Sequence, residues 1–188
     1  MTESSRITLG LGANLASRWG TPLETFIRAK EELAQRGVHI ISTSHLYSTA
    51  PKGPGHQGRY LNAVLLGQTR LAPGVLLRLV KRIEREAGRR LGYRWGPRCL
   101  DIDILDYGGR RIGWPARQSE RGQLQLPHPL IHERAFVLVP LLDVVPAWSH
   151  PVLGISGRRL LARLAPKSAI DVRQALDSTR LACDKVTA

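Results

Sequence analysis

Apolar and polar residues alternate most clearly over residues 100–105, Leu-Asp-Ile-Asp-Ile-Leu. Strict alternation is the period of a β-strand with one buried face, so this segment is predicted to be a strand. On that strand Asp101 and Asp103 point to the same face, about 7 Å apart along the chain. The opposite face, directed into a core, carries Leu100, Ile102 and Ile104.

Hydrophobic periodicity and turn residues predict the elements that precede this strand. Thr21, Pro22 and Glu24 form a capping box that begins the first helix, and Gly37 ends it. Residues 48–58 are rich in proline and glycine and are predicted to be a loop. In chain order we predict a strand at 6–11, a helix at 21–37, strands at 38–47 and 60–69, a helix at 72–88, a basic loop at 89–98 and the strand at 100–105.

This order of elements is the split βαβ arrangement of ferredoxin-like folds. It predicts an α+β fold with an antiparallel sheet and both helices on one face. Apolar segments at 137–142 and 157–164 are predicted to add C-terminal helices on the other side. We therefore expect one domain over residues 1–165 and a weakly structured tail at 166–188. A fold of this type serves many functions and does not name one.

Composition indicates a single globular domain with anionic partners. The 188 residues include 28 Lys and Arg against 15 Asp and Glu, which gives a formal net charge of +13. That charge favours a nucleic acid or a polyphosphate ligand. The sequence has no apolar run long enough for a membrane span and no secretory signal, and its two cysteines suggest no disulfide framework, so we expect a cytoplasmic protein.

The candidate chemistry lies around the two aspartates. Their hard oxygen ligands suit Mg²⁺, which usually binds one or two carboxylates together with substrate phosphates. Arg94 and Arg98 stand just upstream, and guanidinium groups match phosphate oxygens. The combination is typical of phosphoryl transfer. The alternative is a strand with two solvent-facing aspartates, which would be the preferred reading for Asp-x-Asp alone.

A second candidate lies on the strand at 60–69. Tyr60 and Asn62 share one face of that strand, and an aromatic ring beside an amide can stack on a flat heterocycle and hydrogen-bond its edge. An ordinary edge tyrosine is the alternative reading. Nothing in the sequence assigns a partner to His39, His132 or His150, which are predicted to be surface residues.

These residues carry a resemblance to a known family. Residues 94–105, Arg-Trp-Gly-Pro-Arg-Cys-Leu-Asp-Ile-Asp-Ile-Leu, resemble the signature of the 6-hydroxymethyl-7,8-dihydropterin pyrophosphokinases of folate biosynthesis. Four shorter segments also resemble that family, at residues 11–15, 47–51, 60–63 and 126–136. The resemblance spans roughly residues 6–164 in order.

The resemblance implies a reaction and roles for individual residues. The family transfers pyrophosphate from ATP to the hydroxymethyl group of the pterin and releases AMP, and two Mg²⁺ ions are expected on Asp101 and Asp103. Catalytic residues implied in this way are Arg89, Arg94, Arg98, Asp101 and Asp103. Residues implied to bind ATP are Glu84, Ile104, His128 and Arg134. Residues implied to bind the pterin are Thr49, Tyr60, Asn62, Trp95 and Phe136.

The expected partners are thus ATP and the pterin, without nucleic acid or membrane, and the protein is expected to be a monomer or a weak dimer. Two alternatives stay open. One is a basic RNA-binding module, because an RNA-recognition fold has the same order of strands and helices. The other is a different nucleotide-dependent transferase with an Asp-x-Asp motif, such as a glycosyltransferase.

Overall fold

The computed structural model describes residues 3–51, 57–89, 96–114, 124–164 and 173–174. Its strands are β1 (Ser5–Ala13), β2 (Val38–Thr43), β3 (Tyr47–Thr49), β4 (Tyr60–Thr69), β5 (Asp101–Tyr107) and β6 (Arg173–Gln174). Its helices are α1 (Pro22–Gln35), α2 (Pro73–Glu86), α3 (Ala135–Val144) and α4 (Gly157–Leu164), and a 3₁₀ turn (Ile131–Glu133) precedes α3.

The strands form one antiparallel sheet in the order β5-β1-β4-β3-β6, and β2 pairs with the other half of β4. The elements from β1 to β5 follow the βαββαβ order expected from the sequence, if β2 and β3 are counted as one divided strand. The predicted ferredoxin-like α+β fold is therefore confirmed. β4 has the predicted bounds, β1 extends beyond its predicted bounds at both ends, and β5 begins one residue later and ends two residues later than predicted.

The two faces of the sheet bury separate apolar clusters. On one face α1 and α2 pack Phe26, Leu33 and Ile83 against strand residues such as Leu9 and Ile102. On the other face α3 and α4 cover a second cluster, which includes Val64, Leu105, Leu138, Trp148 and Leu160. The first two helices thus share one face, and the C-terminal helices lie on the other, as predicted.

The predicted capping box begins α1. Thr21 accepts a hydrogen bond from the Glu24 backbone N–H, and the Glu24 carboxylate accepts one from the Thr21 N–H at 2.7 Å. Gly37 follows the helix with a φ of 93°, a conformation that glycine adopts without the steric cost of a Cβ. Local sequence is therefore sufficient to define both ends of this helix.

The predicted strand at 38–47 is wrong in one respect, because residues 44–46 divide it into β2 and β3. The Ser44 side chain accepts a hydrogen bond from the Val64 backbone N–H, and the Ser44 N–H donates to the Val64 carbonyl. The His45 N–H donates to Asp143 on α3 instead of to a neighbouring strand. These bonds bend the chain, and β3 then continues to Thr49, inside the predicted loop.

β5 also departs from strict alternation. Leu9 of β1 lies opposite Ile104 and Thr8 lies opposite Asp106, so Leu105 is an additional residue in the ladder. Ile104 packs with the α1–α2 cluster and Leu105 with the α3–α4 cluster. This bulge leaves Asp101 and Asp103 together on one face.

The C-terminal prediction for residues 166–188 falls almost entirely outside the described residues, and the division of the chain at residue 165 stays a prediction. β6 contributes a short edge strand beside β3. Among the described residues, none of the helices combines the length and apolarity needed to cross a membrane.

Candidate active site

A cleft of about 420 Å³ opens on the α3 face of the sheet, above β1, β4 and β5. Val64 and Leu105, which belong to the α3–α4 cluster, form part of its wall. The cleft brings together eight residues that the sequence suggested for the site, from positions as distant as 49 and 136. These are Thr49, Tyr60, Asn62, Arg98, Asp101, Asp103, Arg134 and Phe136.

Two glycines of β1 form the floor of the cleft. Gly12 lies between Asp101 of β5 and Asn62 of β4, and Gly10 lies opposite Asp103. A Cβ at Gly12 would stand 3.7 Å from the Asn62 Oδ1 atom, and one at Gly10 would stand 3.3 Å from Leu105. The absence of side chains on both residues keeps the floor open between the aspartates and the amide.

Asp101 and Asp103 both face the cleft, and each side chain is about one third exposed, at 34% and 35%. Among the described residues, no three His, Cys, Asp or Glu side chains are grouped so that they could hold a metal ion by themselves. Two accessible carboxylates nevertheless fit Mg²⁺, which commonly completes its coordination with water and substrate phosphates. The donor set is therefore suited to a metal ion that arrives with a phosphorylated substrate.

A charged cluster stands behind Asp101. The Arg89 Nη1 atom lies 2.5 Å from both Asp101 Oδ1 and Glu84 Oε2. Glu84, which is 2% exposed, also accepts hydrogen bonds from the Lys81 ammonium at 2.7 Å and from the Ile102 backbone N–H at 2.8 Å. Sequence reasoning missed Lys81, because it stands on a helix face that appears solvated from its spacing.

The cluster has well-defined electrostatics. Burial is the largest influence on Glu84 and raises its pKa, in opposition to the nearby Lys81 and Arg89 charges. Burial lowers the pKa of Arg89, but Asp101 and Glu84 more than offset this effect, so its net pKa is raised and the guanidinium stays charged. The two carboxylates and two cations thus balance one another at this edge of the cleft.

Asp103 faces two further cationic or ionisable groups. The His128 Nε2 atom is 3.8 Å from Asp103 Oδ2, and the Arg134 Nη1 atom is 3.9 Å from the same oxygen. The His128 Nδ1 atom accepts a hydrogen bond from the Leu130 N–H, so the neutral ring carries its proton on Nε2, directed toward Asp103. Burial lowers the pKa of His128, which favours that neutral form.

The other end of the cleft carries neutral side chains. Asn62 is 6% exposed, and its Nδ2 atom donates to Thr49 Oγ1 at 2.9 Å. The Tyr60 hydroxyl donates to the Gly96 carbonyl at 3.0 Å, and burial raises its pKa so that it remains protonated. The ring of Phe136 lies 5.7 Å from the Arg134 guanidinium, which connects the two ends.

The remaining suggested residues occupy different positions. The Arg98 backbone is held by Asn14, whose N–H donates to the Arg98 carbonyl and whose Oδ1 accepts from the Arg98 N–H. Ile104 is 5% exposed and packs in the core on the face opposite the aspartates. Glu84, Arg89 and His128 lie behind the cleft wall, whereas Arg94 and Trp95 lie outside the described residues.

Two positions near the cleft were not anticipated. Glu133 lines the cleft beside Arg134, although nothing in its local sequence distinguishes it from a solvated carboxylate. The prediction that His150 is a surface residue is wrong, because it is fully buried between Trp114 and Trp148. His132 is partly buried beside it, and only His39 of the three histidines is exposed as predicted.

Comparison with known proteins identifies relatives of this arrangement. The family model described as 7,8-dihydro-6-hydroxymethylpterin-pyrophosphokinase matches residues 8–146. The chain is 42% identical over 137 residues to the 2-amino-4-hydroxy-6-hydroxymethyldihydropteridine pyrophosphokinase of Haemophilus influenzae, covering 72% of this chain and 79% of that protein. It is 39% identical over 163 residues to the protein of the same name from Methylorubrum extorquens, covering 86% and 95%.

Some relatives are longer proteins. The chain is 37% identical over 144 residues to the mitochondrial folate synthesis bifunctional protein of Pisum sativum, covering 77% of this chain but only 26% of that one. It therefore spans about a quarter of the length of such relatives. The crystal structure of Plasmodium falciparum HPPK-DHPS A437G has a similar fold, with a TM-score of 0.66, 16% identity and coverage of 89% of this chain and 46% of the other.

Proposed function

This chain belongs to the 7,8-dihydro-6-hydroxymethylpterin-pyrophosphokinase family, and from that premise we propose that it transfers pyrophosphate from ATP to the hydroxymethyl group of 6-hydroxymethyl-7,8-dihydropterin, with release of AMP. This is a step of folate biosynthesis. The observation that carries the proposal is one cleft in which an aspartate pair and two arginines lie beside two aromatic rings and a buried amide. The parts suit the two substrates that the reaction requires.

The neutral end of the cleft binds the pterin. Its flat ring stacks between Tyr60 and Phe136, because aromatic faces favour offset stacking on a heterocycle. Asn62 supplies its Oδ1 atom to the polar edge of the ring while its Nδ2 atom stays bonded to Thr49, which fixes the direction of the amide. Trp95 is proposed to contact the pterin as well, as the family resemblance implies.

The charged end binds the triphosphate of ATP. Arg98 and Arg134 line the cleft and neutralise phosphate oxygens, and Arg89 and Arg94 are proposed to add further positive charge. The Nε2–H of His128 is directed toward the same region. Glu84 acts through Arg89, whose guanidinium it holds beside Asp101, and Ile104 contributes to the adenine site through its backbone, because its side chain is buried in the core.

Asp101 and Asp103 are proposed to hold two Mg²⁺ ions. Bound magnesium supplies positive charge to the phosphate oxygens and helps to align the attacking and leaving oxygens. The two carboxylates fix this position on a rigid strand, and Gly10 and Gly12 leave room for it. Arg89 contacts Asp101, and His128 and Arg134 lie 3.8 Å and 3.9 Å from Asp103, so both carboxylates stand among cationic or ionisable groups.

The reaction requires the pterin hydroxyl oxygen to attack the β-phosphorus while the bond between that phosphorus and the α,β-bridging oxygen breaks. The bridging oxygen leaves with AMP, and the hydroxyl proton passes to solvent. The chain's contribution is mostly position and charge. Tyr60, Asn62 and Phe136 hold the hydroxymethyl group toward the aspartates. Arg98 and Arg134 balance the negative charge that grows on the phosphate oxygens as AMP leaves.

The test is AMP formation from ATP with millimolar Mg²⁺, measured with and without the hydroxymethyl-dihydropterin. AMP that forms only when both pterin and Mg²⁺ are present supports the proposal. ADP as the product, or no turnover at all, contradicts it, and retention of the protein on RNA without Mg²⁺ would then favour the RNA-binding alternative. The cytoplasmic location and the monomeric or weakly dimeric state stay predictions. Sedimentation of the full chain tests the oligomeric state.

A further inference from the structure

A pair of histidines packs behind the charged end of the cleft. His132 belongs to the 3₁₀ turn, and His150 belongs to the connection between α3 and α4. Their ring centres are 5.4 Å apart with the ring planes at 81°. The rings of Trp114 and Trp148 stand 5.6 Å and 5.8 Å from that of His150, which is fully buried.

The hydrogen bonds of His150 define where its proton lies. Its Nδ1 atom accepts hydrogen bonds from the backbone N–H groups of Val152 and Leu153, both at 3.2 Å. A nitrogen that accepts carries no proton, so the neutral ring has its N–H at Nε2. Burial lowers the pKa of His150, as does His132, and this favours the neutral ring. The buried Nε2 atom has no hydrogen-bond partner in the described part of the chain.

His132 presents the complementary arrangement. Its Nε2 atom is 3.4 Å from the Glu133 carboxylate, which favours a proton on that nitrogen. The Nδ1 atom is then an acceptor, and it too is buried without a partner among the residues that the structure describes. One donor and one acceptor on neighbouring rings thus have no partner among the described residues, and leaving either buried alone costs roughly 1–3 kcal/mol.

We infer that the Nε2–H of His150 donates to the Nδ1 atom of His132, after a small rotation of either ring or through one water molecule, and that this pair positions the 3₁₀ turn. His128 precedes that turn and Arg134 follows it, and both approach the same oxygen of Asp103, at 3.8 Å and 3.9 Å. A shift of the turn would move both groups away from Asp103 together. His132 and His150 are therefore positioning residues for the nucleotide side, a role that rests on the proposed function.

Two acidic groups act on the pair in the part of the chain that the structure describes. Glu133 faces His132, and Asp106 of β5 acts on His150 through its charge while bonded to the Trp148 indole N–H. The two tryptophans that pack on His150 carry no charge. The pair is therefore held by hydrogen-bond direction more than by charge.

Asparagine and glutamine variants separate the two nitrogens of each ring. His150→Asn keeps an acceptor at the Nδ1 position for Val152 and Leu153 but removes the Nε2–H donor. His132→Gln keeps a donor near Glu133 but removes the Nδ1 acceptor, whereas His132→Asn keeps that acceptor. His39→Asn is the matched control, because His39 is an exposed residue of β2.

We expect His150→Asn and His132→Gln each to raise the KM for ATP about fivefold or more, with the KM for the pterin changed less than about twofold. His132→Asn is expected to retain most of the ATP affinity, and His39→Asn all of it. Because the two histidines act as one unit, the double variant His132→Gln with His150→Asn is expected to match the stronger single variant. Additive effects, equal changes in both KM values, or no change in either single variant would overturn the inference.

A spectroscopic measurement on the wild-type chain keeps this test separate from the test of the reaction. Long-range ¹H–¹⁵N correlation spectra at pH 7 report which nitrogen of each histidine carries the proton. We expect both rings to be protonated at Nε2. We also expect the ¹⁵N resonance of His132 Nδ1 to show the shift of a hydrogen-bonded acceptor, and this shift to disappear in His150→Asn. A proton on Nδ1 of His150 would refute the pair, whether or not the chain makes AMP.

Discussion

The two ends of the cleft are built by different means. At the neutral end, Thr49 lies directly opposite Tyr60 in the β3–β4 ladder, and the Asn62 amide is bonded to Thr49. At the charged end, the groups around Asp101 and Asp103 come from separate segments: the last turn of α2 and the residues after it, the residues before β5, and both sides of the 3₁₀ turn. The neutral end is built on the β3–β4 ladder with Phe136 added from α3, and the charged end is held by ion pairs.

This difference implies different consequences of substrate binding. The amide and aromatic groups of the neutral end already have their partners, so a pterin adds contacts without breaking any that the structure shows. At the charged end, Arg89 contacts Asp101 and Glu84, and we expect the proposed phosphate and metal ions to displace some of these contacts. We therefore expect the neutral end to contribute mainly to pterin binding, and the charged end to contribute both to ATP binding and to the rate.

The largest expected effect is at the charged end. Asp101→Asn or Asp103→Asn keeps the volume of the side chain but removes the negative charge that would hold the proposed Mg²⁺ ions. Each is expected to lower kcat by at least about 10³-fold, roughly 4 kcal/mol of transition-state stabilisation. AMP formation at saturating ATP and pterin measures this loss.

Asp106→Asn is the control on the same strand outside the cleft. The Asp106 Oδ1 atom accepts from the Gly109 N–H and its Oδ2 atom accepts from the Trp148 indole N–H, and asparagine keeps one of these two acceptors. This variant is expected to keep kcat within about threefold. Near-normal turnover of both cleft variants at saturating Mg²⁺ would remove the metal assignment. Circular dichroism of all three variants tests whether they are folded.

The next effect in size is at the neutral end. Tyr60→Ala removes a stacking surface and is expected to weaken pterin binding 10- to 100-fold, about 1.4–2.7 kcal/mol. ATP affinity is expected to change less than about threefold, since the Tyr60 ring is uncharged and its hydroxyl bonds the Gly96 carbonyl. Isothermal titration of each substrate separately measures both values. Equal weakening of the two ligands would contradict a division of the cleft into two ends.

Tyr60→Phe sharpens the same comparison. It keeps the ring but removes the hydroxyl that donates to the Gly96 carbonyl, just before Arg98. Pterin affinity is expected to stay close to that of the wild type. A loss as large as that of Tyr60→Ala would show that the hydroxyl, and not the ring, accounts for pterin binding.

Sequence reasoning was most successful where a local pattern decides the structure. The alternation of residues around Asp101 and Asp103, the shared face of Tyr60 and Asn62, and the capping box of α1 each depend on neighbours within a few residues. The break at Ser44 was missed because it depends on Val64 and Asp143, which are distant along the chain.

The same reason explains the missed site residues. Lys81 and Glu133 have the spacing of solvated charges, and only the fold brings them to the cleft region. His150 lies in a connection with no periodicity, so its burial between two tryptophans has no signal in the sequence. The roles of all site residues stay predictions until the variants are measured.

Ionic strength distinguishes the two ends by a smaller effect. Salt screens partly exposed charges, and the Debye length falls from about 10 Å at 0.1 M to about 3 Å at 1 M. Raising KCl from 0.1 M to 0.5 M is expected to weaken ATP binding several-fold and to leave pterin binding within about 1.5-fold, because the neutral end offers no charge to screen. Parallel salt dependence of both ligands would show that the ends are not electrostatically distinct.

The smallest expected effect concerns stability. Glu84 is buried, and that burial raises its pKa above the value in the unfolded chain. The folded state therefore binds the Glu84 proton more tightly than the unfolded state does. At pH values between the unfolded pKa, near 4.3, and the higher folded pKa, the unfolded state holds fewer protons. The contribution of Glu84 to the free energy of unfolding therefore falls as the pH rises from the unfolded pKa to the folded pKa, and it is constant at higher pH.

Glu84→Gln removes this titration while an oxygen remains to accept the Ile102 N–H. Urea unfolding of both chains at several pH values between 4 and 8 is expected to show wild-type stability falling relative to Glu84→Gln as the pH rises. Glu86→Gln is the control for which the change of stability with pH has the opposite sign, since hydrogen bonds from Arg36 and Arg82 lower the pKa of the Glu86 carboxylate. A rise in wild-type stability relative to Glu84→Gln would mean that Lys81 and Arg89 outweigh burial, so that the charged end stabilises the fold instead of costing it stability.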